Sequence, residues 1–387
     1  MDFLGLRTLT VINDTIESVK RNYGKDIDMY SLYDFKDKKP FELLCDGKTD
    51  GLFQLESTGM TNFMQKLQPN CIEDVIAGIS LYRPGPMDSI PEFLENRKNK
   101  DKIEYSFPEL EPILSPTYGL PVYQEQAMQI VIAVAGYQKS QSDSFRKAIA
   151  KKKKEWIDAH REYFIYGKED TPEANSRIGL KGAIPGVIKL GKDKKKAEEL
   201  YDALEAFGRY AFNKSHAAVY AAIAYVTAYL KYYYPAEFMA ATIDMDIKSK
   251  AKVMRYVNHC KDLGISLLPP DVNSSLRHFD PKPDKTISYS LSAKDTDAKS
   301  LNCIIEERQE HGDYLDMTDY FRRCGKNVNK KTFRSLVNIG AFSSVTPERR
   351  RFVYNADSIY KKLDSIKNAA DRAAEKGKQP RMTFENS

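Results

Sequence analysis

The sequence has few of the residues that mark secreted proteins or metal-binding modules. Its 387 residues include a single tryptophan and five cysteines, no two of which lie within four positions of each other. The close cysteine spacing of zinc ribbons and redox motifs is therefore absent. An odd cysteine count without a secretory signal is typical of a reducing compartment. We expect a cytoplasmic protein with five thiols that have no chemical role: Cys45, Cys71, Cys260, Cys303 and Cys324.

Apolar runs of membrane-spanning length are missing as well. The apolar run at 217–230 ends at Lys231, whereas a membrane span needs about 20 residues. A buried helix is favoured, and no membrane partner is expected. The net charge of +6 and the pI of about 8.7 permit a polyanionic partner without requiring one.

Turn-forming residues divide the chain into mostly helical segments. Helices are predicted to end at Gly24, before Pro84, at Gly136, at Gly208 and before Pro235. The stretch "GLFQLESTGM" at 51–60 predicts a strand followed by a helix with Ser57 or Thr58 as its N-cap. The stretch "SQSDSFRKAIAKKKKEW" predicts one helix with Ser142 or Asp143 at its N-cap.

The chain is long enough for two or three domains. The prolines of "ISLLPPDVNSS" at 265–275 indicate a boundary. Beyond it we predict two short strands around a turn in "HFDPKPDKTISYSLS", and then helices at about 297–311, 316–323 and 329–339. The fold class predicted is mainly α, with a short β element.

A basic segment at 146–154 is the first candidate binding feature. Arg146, Lys147 and Lys151 to Lys154 place six cations within nine residues. On one helix these cations share a flank, while Phe145, Ala148 and Ile149 anchor the opposite one. Fixed cations of this kind suit a triphosphate or a nucleic-acid backbone, although a merely solvated face has equal weight on composition alone.

A polar segment, Asn213-Lys214-Ser215-His216, begins the long apolar helix. Its side chains offer hydrogen-bond donors, acceptors and a cation, and the helix N-terminus adds unpaired N–H groups. The segment is consistent with an anion-binding cradle. Equally, Asn213 and Ser215 could cap the helix, with His216 as a core residue.

One phosphate-loop pattern is misleading. The stretch "GVIKLGKD" at 186–193 lacks the hydroxyl residue that would hold Mg²⁺, because Asp193 stands there. A basic surface loop is favoured over a nucleotide-hydrolysing site.

Eight motifs follow one another in a fixed order: "MDFLGLRTLTVIN", "GLFQLESTGM", "LYRPGPMDSIPEF", "YGLPVYQEQAMQI", "FRKAIAKKK", "FNKSHAAVYA", "YPAEFMAA" and "LLPPDVNSS". Together they closely resemble the bacterial replicative DNA polymerase III alpha subunit, a C-family DNA polymerase. The resemblance runs from residue 2 to about residue 275 and then weakens.

The resemblance implies four regions: the end of the palm at 1–50, the fingers domain at 51–275, a small helical domain with a degenerate helix-hairpin-helix at 276–345, and a charged helical or disordered tail at 346–387. It implies a DNA-directed DNA polymerase that uses two Mg²⁺ ions. Asp2 corresponds to one of the family's three metal-binding catalytic aspartates, and the motif that carries the other two is not in this sequence. We therefore expect this chain alone to lack a complete catalytic centre.

The resemblance also implies binding residues. Arg146 and Lys147 match the pair that contacts the triphosphate, and Asn213, Lys214, Ser215 and His216 match the motif of the nucleotide pocket. Further candidate contacts with DNA or nucleotide lie in the other motifs: Gln54, Arg83, Gln124, Gln126, Lys151 and Lys152. The expected partners are DNA template-primer, deoxynucleoside triphosphates, a sliding clamp and other replisome subunits.

Departures from the family pattern matter near the C-terminal end. Where the family has a glycine-rich hairpin of the form G-x-I-K-G-V-G, this chain has "LSAKDTDAKS", with no glycine and two aspartates. This departure disfavours duplex binding through the hairpin. In the tail, "QPRMTF" at 379–384 loosely matches peptides that dock on sliding clamps.

The alternative hypothesis is a stand-alone, non-catalytic nucleic-acid-binding protein that uses the basic segment. It predicts salt-sensitive DNA binding without nucleotide dependence. The polymerase hypothesis predicts triphosphate binding through Arg146, Lys147 and Lys214.

Overall fold

A computed structural model describes residues 5–208, 211–325, 327–346, 353–362 and 365. The chain forms two compact units. The central unit is residues 29–229, and the terminal unit combines residues 1–28 with residues 230–387. Within the described residues, no helix is long and apolar enough to span a membrane.

The central unit is helical. Its helices are α2 (Pro40–Cys45), α3 (Thr58–Leu67), α4 (Ile72–Leu81), α5 (Ile90–Lys98), α6 (Glu111–Leu114), α7 (Gln124–Ala135), α8 (Lys139–Ala150), α9 (Lys154–Tyr166), α10 (Pro172–Ser176), α11 (Lys194–Gly208) and most of α12 (Lys214–Tyr233). Its main apolar core contains fully buried residues from α7, α8, α9 and α11, among them Val134, Phe145, Phe164 and Tyr201.

The terminal unit starts with α1 (Arg7–Tyr23) and resumes with α13 (Pro235–Met245), against which α1 packs. It continues with α14 (Lys250–Asp262) and three short strands, β1 (Ser266–Leu268), β2 (Asp280–Pro281) and β3 (Thr286–Ser288). Strand β3 lies between the other two, parallel to β1 and antiparallel to β2. Helices α15 (Ala298–His311), α16 (Met317–Cys324) and α17 (Lys330–Ile339) enclose a second apolar core.

The predicted helix ends and caps are largely confirmed. Gly24 and Gly136 end α1 and α7 in the left-handed conformation (φ of 66° and 76°), which glycine adopts without strain. Ser57 caps α3 by accepting a hydrogen bond from the N–H of Met60. The three helices beyond the β element and the mainly α fold class are confirmed.

Two local predictions are wrong. The strand predicted in "GLFQL" is a series of turns, in which Gly51 and Gln54 have positive φ. Helix α8 begins at Lys139, before the predicted cap at Ser142 or Asp143. The Gln141 side chain accepts a hydrogen bond from the N–H of Gln138 (2.8 Å), so it satisfies the helix start one turn earlier.

Candidate functional site

Helices α7 and α12 begin side by side in the central unit. A short parallel bridge joins their leading residues: the N–H of Gln124 donates to the carbonyl of Phe212 (2.9 Å), and the N–H of Phe212 donates to the carbonyl of Val122 (3.3 Å). The Gln124 side chain donates to the carbonyl of Ala211 (3.2 Å). Two motifs that are far apart in the sequence therefore form one surface.

The start of α12 already has protein acceptors for two of its amides. The carboxylate of Glu125 accepts from the N–H of Lys214 (3.0 and 3.2 Å), and Oδ1 of Asn213 accepts from the N–H of His216 (2.9 Å). Of the two interpretations that the sequence left open, the capping of α12 by Asn213 is confirmed, whereas His216 is exposed and is not a core residue. Lys214 and Ser215 are exposed as well, so these side chains are accessible to a ligand.

A row of aromatic side chains in edge-on and tilted contact continues from the polar segment. His216 and Tyr220 are four residues apart and follow one face of α12, and Phe212 lies just before the helix. The His216 ring lies 5.5 Å from that of Phe212 and 4.3 Å from that of Tyr220, and Phe53 follows at 5.2 Å from Tyr220. We call these four residues the aromatic column. The guanidinium of Arg83 lies 3.8 Å from the centroid of Phe212.

Arg83 is therefore a cation held on an aromatic face, a role that the sequence did not indicate. It is exposed and is free to contact a ligand from this position. Gln54 follows Phe53 directly and is also exposed. The candidates Arg83, Gln124 and Asn213–His216 thus lie together, with Gln54 next to the far end of the aromatic column.

Gln126 has a structural role. Its Oε1 accepts from the N–H groups of Val122 and Tyr123 (2.8 and 3.0 Å), and its Nε2 donates to the carbonyl of Ile113 and to Thr117 Oγ1. Because the side chain is buried and fully paired, it caps α7 rather than facing a ligand. Tyr123 is buried too, and the Lys214 ammonium lies 5.3 Å from its ring centroid.

Arg146 and Lys147 share one counter-ion. Asp143 lies 2.7 Å from Arg146 Nη2 and 2.7 Å from Lys147 Nζ, one helical turn away from each. Hydrogen bonds from these two cations hold the pKa of the Asp143 carboxyl below its usual value. The sequence predicts Ser142 or Asp143 as an N-cap; in the structure Asp143 instead pairs with these two cations, at the i,i+3 and i,i+4 spacing that favours such ion pairs.

The remaining lysines do not continue the flank of α8. The helix ends at Ala150, and Lys152 adopts a positive φ of 54°. The N–H of Lys153 donates to the carbonyl of Ala148 (3.1 Å), which closes the helix end. Lys151 and Lys152 are exposed in this turn, and the prediction of six cations on one helix is wrong.

The ends of α8 and α11 meet at Gly208. A Cβ atom added there would lie 1.8 Å from Cγ2 of Ile149, so only glycine allows this approach. Five positions separate Gly208 from Asn213, a span of at most about 18 Å. The polar segment therefore begins within about 18 Å of the point where α8 and α11 meet.

The phosphate-loop pattern has a structural role. Lys192 Nζ donates to the carbonyls of Ala133 and Val134 (3.1 Å each) at the end of α7, and it lies 2.8 Å from Glu109 Oε1. Asp193 Oδ1 accepts from the N–H of Lys196 and caps α11. The loop therefore joins two helices, and its lysine is mostly buried rather than on the surface as predicted.

The altered hairpin in the terminal unit is closed by its own side chains. Thr296 Oγ1 accepts from the N–H of Ala293 (3.0 Å), and Asp297 Oδ1 accepts from the N–H of Ser300 (2.8 Å). Asp297 Oδ2 also accepts from Ser300, Asn329 and Thr332 side chains. These hydrogen bonds, led by those with Ser300, lower the pKa of Asp297 to about 2. Weak duplex binding by this hairpin stays a prediction.

The described residues do not fit a two-metal centre. Among them, no group of three His, Cys, Asp or Glu side chains is arranged to hold a metal ion. Asp2 lies outside the described residues.

Comparison with known proteins identifies two regions. Residues 8–171 match the model of the bacterial DNA polymerase III alpha subunit finger domain. Residues 264–352 match the model of a helix-hairpin-helix motif.

Curated relatives cover most of the chain. The DNA polymerase III subunit alpha of Thermus aquaticus is 42% identical over 89% of this chain and 27% of its own length. The subunits of Neisseria meningitidis serogroup A and Escherichia coli K12 are 38% and 36% identical, each over 94% of this chain and over 30% and 31% of their own lengths. The chain thus spans about 30% of the length of the relatives that it matches. It belongs to the family of bacterial DNA polymerase III alpha subunits.

Proposed function

We propose that this chain forms the fingers of a replicative, DNA-directed DNA polymerase and binds the incoming deoxynucleoside triphosphate beside the template-primer. The observation that carries the proposal is the joined start of α7 and α12, where Arg83, Gln124 and the polar segment form one surface. In a polymerase such a surface grips a triphosphate and moves with the closing fingers.

The chemistry of this surface supports a nucleotide ligand. Lys214 and Arg83 supply exposed cations for phosphate oxygens. Asn213, Ser215 and His216 supply hydrogen-bond donors and acceptors for sugar and base. The aromatic column provides flat apolar surface. Arg146 and Lys147 add a second cation pair, with the end of their helix close to Gly208.

The paired state of Arg146 and Lys147 fits reversible binding. Their ion pairs with Asp143 are partly exposed, with 31–53% of the side-chain surface accessible, and exposed ion pairs are weak. A triphosphate carries several negative charges and outcompetes one carboxylate. Asp143 therefore keeps the two cations oriented until the nucleotide arrives.

The remaining parts of the activity follow from the family. Nucleotidyl transfer uses two Mg²⁺ ions held by carboxylates, of which Asp2 is the one counterpart in this sequence. We therefore assign to this chain the binding of nucleotide and template-primer, and assign catalysis to an assembly with a complete metal site. The sliding clamp and other replisome subunits are the proposed partners, in the cytoplasm. The proposed fingers domain spans residues 51–275.

Titration calorimetry with a deoxynucleoside triphosphate and Mg²⁺ tests the proposal. We expect saturable binding that Arg146→Ala weakens roughly tenfold, since one charge-assisted contact is lost. Lys195→Ala is the matched control, because Lys195 is exposed in the first turn of α11, about 20 Å along that helix from Gly208.

Three results would contradict the proposal: no heat of binding at millimolar nucleotide, equal losses in Arg146→Ala and Lys195→Ala, or DNA binding that is salt-sensitive while nucleotide has no effect. The last result is the one expected of a stand-alone nucleic-acid-binding protein. Primer extension by the isolated chain would contradict the assignment of catalysis to a larger assembly.

A further inference from the structure

A concave surface lies beside Asp143 and Lys147. It is a cavity of about 340 Å³ between α8, the start of α9 and the loop at 178–181. The residues that line it include Ser144, Lys147, Trp156, Ile178, Leu180 and Lys181. Its size falls within the range of small-ligand pockets, about 300–1,000 Å³.

The cavity combines the one tryptophan of the chain with several cations. Trp156 is half-buried against the apolar core and lines the cavity with part of its surface. The ammonium of Lys153 lies 4.2 Å from the centroid of the Trp156 ring. Lys147 and Lys181 come from the other two walls. An aromatic ring among cations from separate segments is the pattern of sites that stack a base and follow a phosphate backbone.

The walls of the cavity are fixed. The buried side chain of Gln141 on α8 donates to the carbonyl of Lys181 (2.9 Å). Lys168, also buried, donates to the carbonyl of Gly182 (3.0 Å). Ile178 and Leu180 are buried in the core. These contacts hold the loop beside α8, so the surface that faces a ligand is largely preformed.

The spacing of the cations selects among phosphate ligands. Asp143 lines the cavity and is paired with Arg146 and Lys147. A free triphosphate concentrates several negative charges in one place, which suits the adjacent cations Arg146 and Lys147. A phosphodiester carries one charge per nucleotide, which Lys181 in the cavity and Lys153 beside Trp156 can meet at separate points.

The shape of the cavity selects unpaired bases. In a duplex each base is stacked on both sides, so its faces are not accessible to Trp156. In a single strand an unpaired base can stack on the ring, since stacking is stronger than the exposed cation–π contact of Lys153. Lys153 then becomes available for the adjacent phosphate.

We propose that the cavity between α8, α9 and the 178–181 loop binds single-stranded DNA, with one unpaired base on Trp156 and the flanking phosphates on Lys153 and Lys181. This inference rests on the proposed function, in which it receives the unpaired part of the template. It adds a nucleic-acid site that is separate from the polar segment.

Trp156 reports on its own site, because it is the sole tryptophan. We expect a short oligothymidylate to quench its fluorescence saturably, and the same oligonucleotide annealed to its complement to leave it unchanged. Lys181→Ala should lower the salt slope of binding by about 0.7, the contribution of one phosphate contact on a single strand. Trp156→Leu, measured with a labelled oligonucleotide by anisotropy, should weaken binding about tenfold.

Lys195→Ala is the matched control here too. Its neighbour Lys194 lies 5.2 Å from the ring of Tyr166, at the opposite end of α9 from Trp156 and about 15 Å away along the helix. We expect Lys195→Ala to bind the oligonucleotide with the affinity of the parent. Lys181 is exposed, so its variant decides the question even if Trp156→Leu does not fold.

The inference is overturned if the single strand causes no quenching, if Lys181→Ala and Lys195→Ala have the same effect, or if the duplex quenches equally. Quenching by a deoxynucleoside triphosphate at least as strong as that by the single strand also overturns it. Failure of the proposed function is seen separately, as the absence of a calorimetric signal with nucleotide. Quenching by the single strand without that signal supports this site alone.

Discussion

Asp143 is the residue on which the charge of α8 depends. It pairs with both Arg146 and Lys147 at 2.7 Å, so in the free protein these cations are partly neutralised. Replacement by asparagine removes the competing charge and keeps the side-chain shape. We expect Asp143→Asn to bind triphosphate roughly two- to fivefold more tightly, the range for one exposed ion pair. Calorimetry at low salt measures this change, and high salt should reduce it.

Glu155→Gln is a suitable control, because it also removes one negative charge. Glu155 is exposed at the start of α9. Weaker binding in Asp143→Asn would contradict the prediction. It would mean that orienting the two cations matters more than releasing them.

Asp244 gives the terminal unit a pH-dependent stability. Burial, with a further contribution from nearby Asp14, raises the pKa of Asp244 to about 7, although its carboxylate accepts from the N–H of Phe279 (3.0 Å). The folded state holds the proton more tightly than the unfolded state, so protonation of Asp244 raises the free energy of unfolding. This contribution is complete below pH 4. It is lost as the pH rises to about 7.

Asp244→Asn should therefore flatten the decline in stability between pH 4 and pH 7. Asparagine can still accept from Phe279 but carries no charge to bury. At pH 8 the variant should be more stable than the parent by roughly 2–4 kcal/mol. Urea unfolding at several pH values measures this difference. Asp26→Asn, at an exposed position of the same unit, should behave as the parent, and equal stabilisation at all pH values would contradict the assignment.

At the scale of elements, helix α7 depends on side chains that satisfy the backbone at both of its ends. Gln126, in its first turn, accepts from the N–H groups of the two residues before the helix, and Lys192, from outside it, donates to carbonyls of its last turn. Lys192 also neutralises Glu109, whose other carboxylate oxygen, Oε2, is buried without a hydrogen-bond partner. The lysine of the phosphate-loop pattern is therefore predicted to stabilise the fold.

Lys192→Met keeps the length of the side chain and removes its hydrogen bonds and charge. We expect it to lower the free energy of unfolding by about 1–3 kcal/mol, the cost of leaving buried polar partners unsatisfied. Lys189→Met, three positions earlier and exposed, should change it by less than about 0.5 kcal/mol. The denaturation midpoints of the two variants are compared. Equal midpoints would mean that Lys192, like the exposed Lys189, contributes little to stability.

Local signals in the sequence predicted the elements well. Gly24, Gly136 and Pro235 act through their own backbone conformations, so the helix ends at these residues are visible in the sequence. The start of α8 was missed because glutamine at 138 and 141 is a less common capping pair than serine or aspartate. The turns at "GLFQL" differ from the predicted strand because the apolar spacing of a short segment does not distinguish the two.

The pairings within the candidate site were not predictable from the sequence. The motifs name Arg83, Arg146 and the polar segment as candidates, and their roles stay predictions. The stacking of Arg83 on Phe212 and the contact of Glu125 with the start of α12 join segments that are far apart in the sequence. Such contacts arise only from tertiary packing, so no spacing rule indicates them.

At the scale of the whole molecule, the described candidate residues all belong to the central unit. Within this unit, α12 packs on the first helices: the Tyr225 hydroxyl donates to the carbonyl of Asp37 (2.8 Å), and the N–H of Phe53 donates to Thr227 Oγ1 (3.3 Å). Phe41 and Leu44 of α2 line a small apolar cavity together with Leu55, Val75 and Ala224. Residues 29–50 are therefore part of its packing.

The packing of α2 leads to a prediction about domain boundaries. Residues 29–233, the central unit with the whole of α12, should fold alone, because the unit encloses its own apolar core. A piece of residues 51–275, the fingers boundaries predicted from the sequence, lacks Phe41 and Leu44. We expect 29–233 to unfold in one transition that is the same by circular dichroism and by Trp156 fluorescence.

The piece 51–275 should unfold at a lower urea concentration. Its free energy of unfolding should be lower by about 2–5 kcal/mol for each large core side chain removed. A third piece, 29–208, keeps this apolar core but lacks α12, so it should unfold at lower urea than 29–233, since the helix contacts both Asp37 and Phe53. If 51–275 were the more stable, α2 would be dispensable for the folding of this unit. If 29–233 folds and binds triphosphate with the affinity of the full chain, the nucleotide site lies entirely within this unit.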